Sequence, residues 1–247
     1  MERTFTTTTA GITALHLPAG RARVTVDPAA KTAIVRLHTQ DAGDSPAADA
    51  IRNARHDTGQ GLSVIVPDNG SGGGGNVTVI SGGRFSNVSI SNGTVTINGV
   101  RVSGDGRSSR GITADVTVPP GTELVFRSTS SDLDVTGPLA GLDAVTVSGD
   151  ITAGMVAGAR VQTTSGDIEL SAVSEQLDAR TVSGDIEVGT YSGGQAALNS
   201  VSGDVELAAT QAASGALSAQ TVSGDVRLRG AGHLHPRVSS VSGRVRS

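Results

Sequence analysis

The 247-residue chain contains no cysteine, so disulfides, thiolate metal sites and cysteine nucleophiles are excluded. Aromatic residues are nearly missing: Phe5, Phe85, Phe126 and Tyr191 are the whole set. A globular core of this size draws on more large rings, and a sugar-stacking platform needs them exposed. Lys31 is the single lysine, and every other basic side chain apart from histidine is arginine. With a formal net charge of −4, the chain lacks the basic balance of a general nucleic-acid binder. No apolar run approaches the ~18 residues that span a bilayer. The N-terminus Met1-Glu2-Arg3-Thr4-Phe5-Thr6 has no apolar signal region. The expectation is a cytoplasmic protein without a membrane span or cofactor.

What is present is glycine (34 residues), serine, threonine and valine, the composition of stacked β coils. β-Branched side chains pack well on a pleated surface and glycine serves tight turns. The second half repeats itself. Ser148-Gly149-Asp150, Ser165-Gly166-Asp167, Ser183-Gly184-Asp185, Ser202-Gly203-Asp204 and Ser223-Gly224-Asp225 recur, and Ser242-Gly243-Arg244 closes the series. The glycines step by 17, 18, 19, 21 and 19 residues, and Ser130-Ser131-Asp132 precedes them in frame. A turn motif at a fixed period of this length marks a stacked repeat architecture.

After each turn the pattern alternates. Ile151, Ile168, Ile186, Val205, Val226 and Val245 form one apolar column, and Ala153, Leu170, Val188, Leu207 and Leu228 a second. Between them stand Thr152, Glu169, Glu187, Glu206, Arg227 and Arg246. Period two puts the apolar columns inside and the third in water. One repeat cannot bury its apolar edge alone, but copies stacked ~4.8 Å apart share a continuous core. The fold class expected is all-β: a parallel β-solenoid, or β-helix, with the right hand favoured because parallel crossovers prefer it.

Before the turn the parity conflicts. Ala144, Val161, Ala179, Leu198, Ala219 and Val238 form an apolar column, and Val147, Val182, Val201, Val222 and Val241 another three residues on, with Thr164 in its second place. Three is odd, so one flat strand cannot face both inward. A corner at the Thr-Val step would bring both inside and is the preferred reading. The alternative is an exposed valine ladder, which marks an interface.

Residues 1–68 read as a strand-rich N-terminal cap. Ile12 to Leu17, Arg23 to Val26, Ala33 to Leu37 and Leu62 to Val66 carry strand patterns. Ser45-Pro46 offers an N-cap and an N1 proline for a short helix with Ala47, Ala48, Ile51 and Ala54 on its apolar stripe. Residues 69–110 read as a Gly/Ser/Asn-rich loop followed by short β segments. These are Val77 to Ile80, Val88 to Ile90, Val95 to Ile97 and Val100 to Val102, punctuated by Asn92-Gly93 and Asn98-Gly99. They suit hairpins or coils equally, and Arg107 to Arg110 read as a second polar loop. Residues 111–247 carry the regular repeats.

The recurring Val-Ser-Gly-Asp-Ile-Glu-Val pattern, after Val116-Thr117-Val118-Pro119-Pro120-Gly121-Thr122, resembles the bacterial putative adhesin family of β-strand repeats, a domain of unknown function. The resemblance covers roughly residues 111–247 and implies a β-solenoid. Some relatives are tied to the cell envelope and its stress responses. Fold alone does not carry a function.

Each candidate site has a plainer reading beside it. Gly149, Gly166, Gly184, Gly203 and Gly224 are expected to supply a positive φ. Asp150, Asp167, Asp185, Asp204 and Asp225, with Asp132, are expected to satisfy donors of their own turns, as Asx turns do. A stacked carboxylate row that binds calcium is the sharper alternative, but the Gly-Gly-x-Gly-x-Asp pattern is missing. Glu169, Glu187 and Glu206 form an outward acidic row that changes sign at Arg227, Arg229, Arg237, Arg244 and Arg246. Such a surface attracts a protein or polyanionic polymer, or another copy of the chain. A polysaccharide-cleaving reading needs a cleft of Asp167, Glu169, Asp185 and Glu187 beside Arg160 or Arg180. His233 and His235 are too few for a metal site and read as a loop. The preferred function is a non-enzymatic structural or interaction protein, the alternative a scaffold assembled through its end coils.

Overall fold

The structure is a computed structural model, and it describes residues 1–7, 11–41, 45–59, 61–68, 88–91, 94–97, 100–102 and 111–246. The fold is all-β and solenoid-like. Two walls of stacked strands enclose the apolar columns. The first wall runs through Val245–Arg246, Val226–Arg229, Val205–Ala209, Ile186–Tyr191, Ile168–Val173 and the start of Ile151–Gln162, all parallel. The second runs through Arg237–Ser242, Ala216–Ser223, Gln195–Asn199, Gln176–Arg180, the end of Ile151–Gln162 and Leu139–Val145. Identical positions meet: Ile168 pairs with Ile151 and Ile186, and Leu170 with Ala153 and Val188. The resulting core holds Ile151, Ile168, Ile186, Val205 and Val226 essentially out of water.

Chain order and stacking order part company at the N-terminal end. Ile12–His16 and Ala19–Val26 make one complete coil inside the stack. Ala19–Val26 lies between Ser130–Thr136 and Ile112–Val118, parallel to both. Ile12–His16 lies between Glu123–Arg127 and Gly61–Ile65, again parallel to both. The chain therefore leaves Ile112–Val118, turns at Pro119-Pro120-Gly121, and resumes beyond a coil laid down about a hundred residues earlier.

Antiparallel strands close this end. Ala33–Thr39 pairs with Ile112–Val118, Glu2–Thr7 pairs with Ala33–Thr39, and Arg55–Asp57 pairs with Gly61–Ile65. The expected helix forms at Pro46–Asn53. The Ser45 hydroxyl accepts from the Ala48 amide at 3.2 Å, and Ala47, Ala48, Ala50 and Ile51 are buried. Arg3 ties the helix end down by donating to the carbonyls of Arg52 and Ala54, each at 2.7 Å.

Val88–Ser91, Thr94–Ile97 and Val100–Val102 form a small antiparallel sheet, so the choice between hairpins and coils resolves as hairpin pairing. The expected Gly-rich loop of residues 69–76, the strand from Val77 to Ile80, the Asn92-Gly93 and Asn98-Gly99 turns and the Arg107–Arg110 loop lie outside the described residues. His233 sits in a 3-10 turn, Gly232–Leu234, and His235 follows it with φ 48°.

Candidate interaction surface

The corner that joins the second wall to the first builds the most distinctive surface of the molecule. Alternation runs unbroken up to it. Leu177, Ala179 and Thr181 point inward, and Asp178, Arg180 and Val182 point outward. The bend comes only afterwards, at Ser183-Gly184-Asp185. The preferred reading of the valine column is thus corrected: Val182, Val201 and Val222 are 45%, 45% and 47% exposed, and Val241 is 81% exposed. The inward slot belongs to Thr146, Thr163, Thr181, Ser200, Thr221 and Ser240. In the last four coils the hydroxyl finds a carbonyl in the preceding coil, whereas the Thr146 and Thr163 hydroxyls are buried without a partner among the described residues. Thr181 donates to Gly166 at 3.4 Å, Ser200 to Gly184 at 3.3 Å, Thr221 to Gly203 at 3.0 Å and Ser240 to Gly224 at 2.8 Å.

The glycines have a reason other than the expected positive φ, which among the turn glycines only Gly224 shows. At Gly166, Gly184, Gly203 and Gly224 an added Cβ would fall inside 3.0 Å of the carbonyl oxygen of the preceding coil's glycine. At Gly149 the same clash comes from the Ser131 carbonyl. Close approach of backbone to backbone fixes the residue type. Ser131 holds the glycine place opposite Gly20, with its hydroxyl donating to the Leu17 carbonyl at 2.9 Å.

The aspartates satisfy backbone donors, but of the next coil rather than of their own turns. Oδ1 of Asp150 accepts from the Asp167 amide at 3.0 Å, Asp167 from Asp185 at 2.8 Å, Asp185 from Asp204 at 2.7 Å and Asp204 from Asp225 at 2.8 Å. At a bend the strand ladder lacks a carbonyl in the right place, and the carboxylate supplies the missing acceptor. Arginines close both ends of the column. Arg21 meets Asp132 at 3.3 Å, and Arg244 meets Asp225 at 3.4 Å while donating its own amide to Asp225 at 2.9 Å. The Arg244 amide, with the nearby guanidinium groups of Arg244, Arg227 and Arg246, holds the Asp225 carboxyl below its ordinary value.

The edge therefore presents three parallel rows. A valine row lies outermost, then the exposed hydroxyls of Ser148, Ser165, Ser183, Ser202, Ser223 and Ser242, then the carboxylates. Glu169, Glu187, Glu206, Arg227 and Arg246 follow on the first wall in strict register. Glu206 is held by Arg229 at 2.6 Å, and Arg227 by Asp204 and Asp225. Glu169 and Glu187 make no ion pair among the described residues.

The acids and arginines of the polysaccharide-cleaving reading fall on different walls. Asp167, Glu169, Asp185 and Glu187 lie on the turn and first wall, whereas Arg160 and Arg180 lie on the second wall, where Arg180 binds Asp178 at 2.9 Å. Among the described residues no group of three or more histidine, aspartate or glutamate side chains is arranged to hold a metal ion. The opposite corner holds a shallow polar depression of about 540 Å³, lined by residues such as Ser174, Glu175, Ser192 and Gln195. No helix among the described residues is long and apolar enough to cross a membrane.

Comparison with known proteins agrees with the architecture. A family model described as Toastrack DUF4097 matches residues 76–247. A solved structure of a putative adhesin from Bacteroides fragilis is similar over 100% of this chain and 96% of its own, with 10% identity and a TM-score of 0.51. A putative lipid binding protein from Parabacteroides distasonis covers the same shares at 11% identity and a TM-score of 0.47. No curated protein matches the chain at a significant level.

Proposed function

The chain belongs to the Toastrack DUF4097 family, and from that premise we propose that it is a non-enzymatic interaction protein that docks through its valine–serine–aspartate edge. One observation carries the proposal: four large apolar side chains stand in water in successive coils, in register. Single exposed apolar residues need no explanation, but a contiguous line of them marks a contact surface. The chain has an inward slot beside each valine and fills it with threonine or serine instead. The rigid stack holds the row with little conformational freedom left to lose on binding. The adhesin description of the similar Bacteroides fragilis protein is in keeping with a docking role. The winding proposed is right-handed, on the general preference of parallel crossovers; the sense of the coil in a crystal structure tests it.

A photo-crosslinking residue placed at 182, 201 or 222 in producing cells tests the docking surface. Discrete adducts are expected there, with none at outward second-wall positions such as 197 or 218. Equal labelling of both surfaces would dismiss the edge as a docking site.

Assembly through end coils has a narrower basis. On the last coil Val245, which continues a core column, is 45% exposed. Among the described residues the other end of the stack carries the helix Pro46–Asn53 and antiparallel strands rather than a parallel coil that matches the last one. Light scattering that rises without limit on concentration would favour the fibre nonetheless.

A further inference from the structure

We propose that the partner of the valine edge is a second copy of the chain, packed edge to edge with its coils running the opposite way, about a two-fold axis at Val201. This rests on the docking reading above and names its occupant.

The charge pattern along the edge points to it. On the turn and the first wall, the two coils before Val201 carry Asp167, Glu169, Asp185 and Glu187, while Arg160 and Arg180 lie on the second wall. The two coils after it carry Arg227, Arg229, Arg244 and Arg246, with Asp225 as the one acid among them. The sign of the surface thus reverses across the coil of Val201, and the exposed valines straddle the same point. A two-fold axis lying in the contact plane, perpendicular to the row, reverses the order of coils while keeping each row on its own side. Val201 then meets its own copy, Val182 meets the partner's Val222, and Thr164 meets the partner's Val241. On the flank, Asp167 faces the partner's Arg244, Glu169 faces the partner's Arg246, and Glu187 faces the partner's Arg227. Both halves of the contact are satisfied at once, which is the requirement of an isologous interface. Both rows repeat at the same ~4.8 Å coil spacing, so the match holds over every coil.

Four juxtapositions work against it. Glu206 and Asp204 each face their own copy and Asp185 faces the partner's Asp225, but Glu206 is already bound to Arg229, and Asp204 and Asp225 to Arg227. Arg160 faces the partner's Arg237 on the second wall, set back from the ridge. The overlapping row, Thr164 to Val241, is about 19 Å long. A ridge of that length covers less than the ~1,200 Å² at the lower end of stable interfaces. The pair is therefore weak and reversible, with a dissociation constant of roughly 10⁻⁵ to 10⁻³ M.

Sedimentation velocity of the purified chain from about 0.01 to about 1 mM tests this, because the range spans the expected constant. A monomer–dimer equilibrium is expected that weakens about tenfold between about 0.05 and 0.5 M salt. Glu169 and Arg246 make no ion pair among the described residues, so exchanging them leaves the fold intact. Glu169→Arg alone and Arg246→Glu alone should each weaken the dimer about tenfold, since each sets like charges opposite one another twice. Mixing the two variants should restore it, as a heterodimer with both contacts matched. A chain that stays monomeric throughout overturns the second-copy proposal, and so does a mixture no tighter than its components. Neither outcome touches the docking reading, which fails only if crosslinks are as frequent on the second wall. Conversely, crosslinks at 201 to a mass other than that of this chain keep the docking reading and overturn the second copy.

Discussion

Replacing Gly184 by alanine isolates what holds neighbouring coils together. The new methyl would sit inside 3.0 Å of the Gly166 carbonyl oxygen, a backbone atom that no rotamer change can move. Relieving the overlap means opening the two coils by roughly 1 Å, in a structure packed too tightly to absorb it. Strain of that kind costs about 1–3 kcal/mol. The same opening stretches two bonds across the gap, from Thr181 to Gly166 at 3.4 Å and from the Asp185 amide to Asp167 at 2.8 Å. Weakening them adds about 1 kcal/mol. The expected loss is about 2–4 kcal/mol, read as a lower urea midpoint in circular dichroism at unchanged slope. Gly158→Ala supplies the control, because nothing lies within 4 Å of its added methyl and its φ is not positive. That variant should be neutral or more stable by about 0.5–1 kcal/mol. Gly184→Asn separates the two explanations for glycine. If the turn needed a positive φ, asparagine would be milder than alanine. If close approach decides, asparagine is at least as harmful. A Gly184→Ala protein within about 0.5 kcal/mol of the parent would refute the reasoning.

Other consequences are equally direct. A chain of residues 69–247 keeps every Ser-Gly-Asp repeat but lacks the coil wedged between Ile112–Val118 and Ser130–Thr136. It should show no cooperative unfolding transition until residues 1–68 are supplied as a separate polypeptide. The triple variant Val182→Ser, Val201→Ser, Val222→Ser should stay within about 0.5 kcal/mol of the parent in urea, as surface substitutions do. Burial, then the Arg127 charge, holds the His16 imidazole below its ordinary 6.5, against the pull of Asp68. The unfolded chain then takes up the proton first, so stability should fall as pH drops below 6.5, and His16→Gln should flatten melting temperature over that range. The Asp225 carboxyl, depressed from 3.8, acts in a lower window. Its contribution is present above pH 3.8 and lost as pH falls further; Asp225→Asn should remove that part of the acid dependence of the melting curve.

The repeats were plainly legible because stacking turns sequence period into spatial register. Ile168, Ile186 and Val205 read as one inward column, and they touch one another in succession. A corner at the Thr-Val step would have brought both columns inside, but the bend comes one step later, at Ser-Gly-Asp, and leaves the valines outside. The unbroken line Thr146, Thr163, Thr181, Ser200, Thr221 and Ser240, two residues after the apolar column, was the better guide: small hydroxyls in phase with a core strand can face inward where a neighbouring carbonyl receives them. The reach of the aspartates was missed for a related reason. An Asp in a turn has a local partner in most proteins, and only stacking makes the next coil's amide nearer. The placing of Ile12–His16 and Ala19–Val26 within the stack left no mark in the sequence at all. Their alternation says strand, and any coil interface of similar width would accept them. The candidate surface was visible as the sign change from Glu206 to Arg227 and, in the alternative reading of the valine column, as an exposed ladder.

The link from Asp carboxylate to the following amide has a consequence for how such a molecule varies. Each coil offers its successor the same acceptor that it took from its predecessor, so the joint is standard from one turn to the next. Departures from the repeat length gather at the far corner, in the stretch from Thr210 to Gly215 and around the turn Gly232–Leu234, where backbone bonds such as Thr210 to Tyr191 join the coils and the carboxylate link is not used. Whole coils are in this sense interchangeable units: adding or removing one alters how long the molecule is and how many valines it displays, while its cross-section stays as it was.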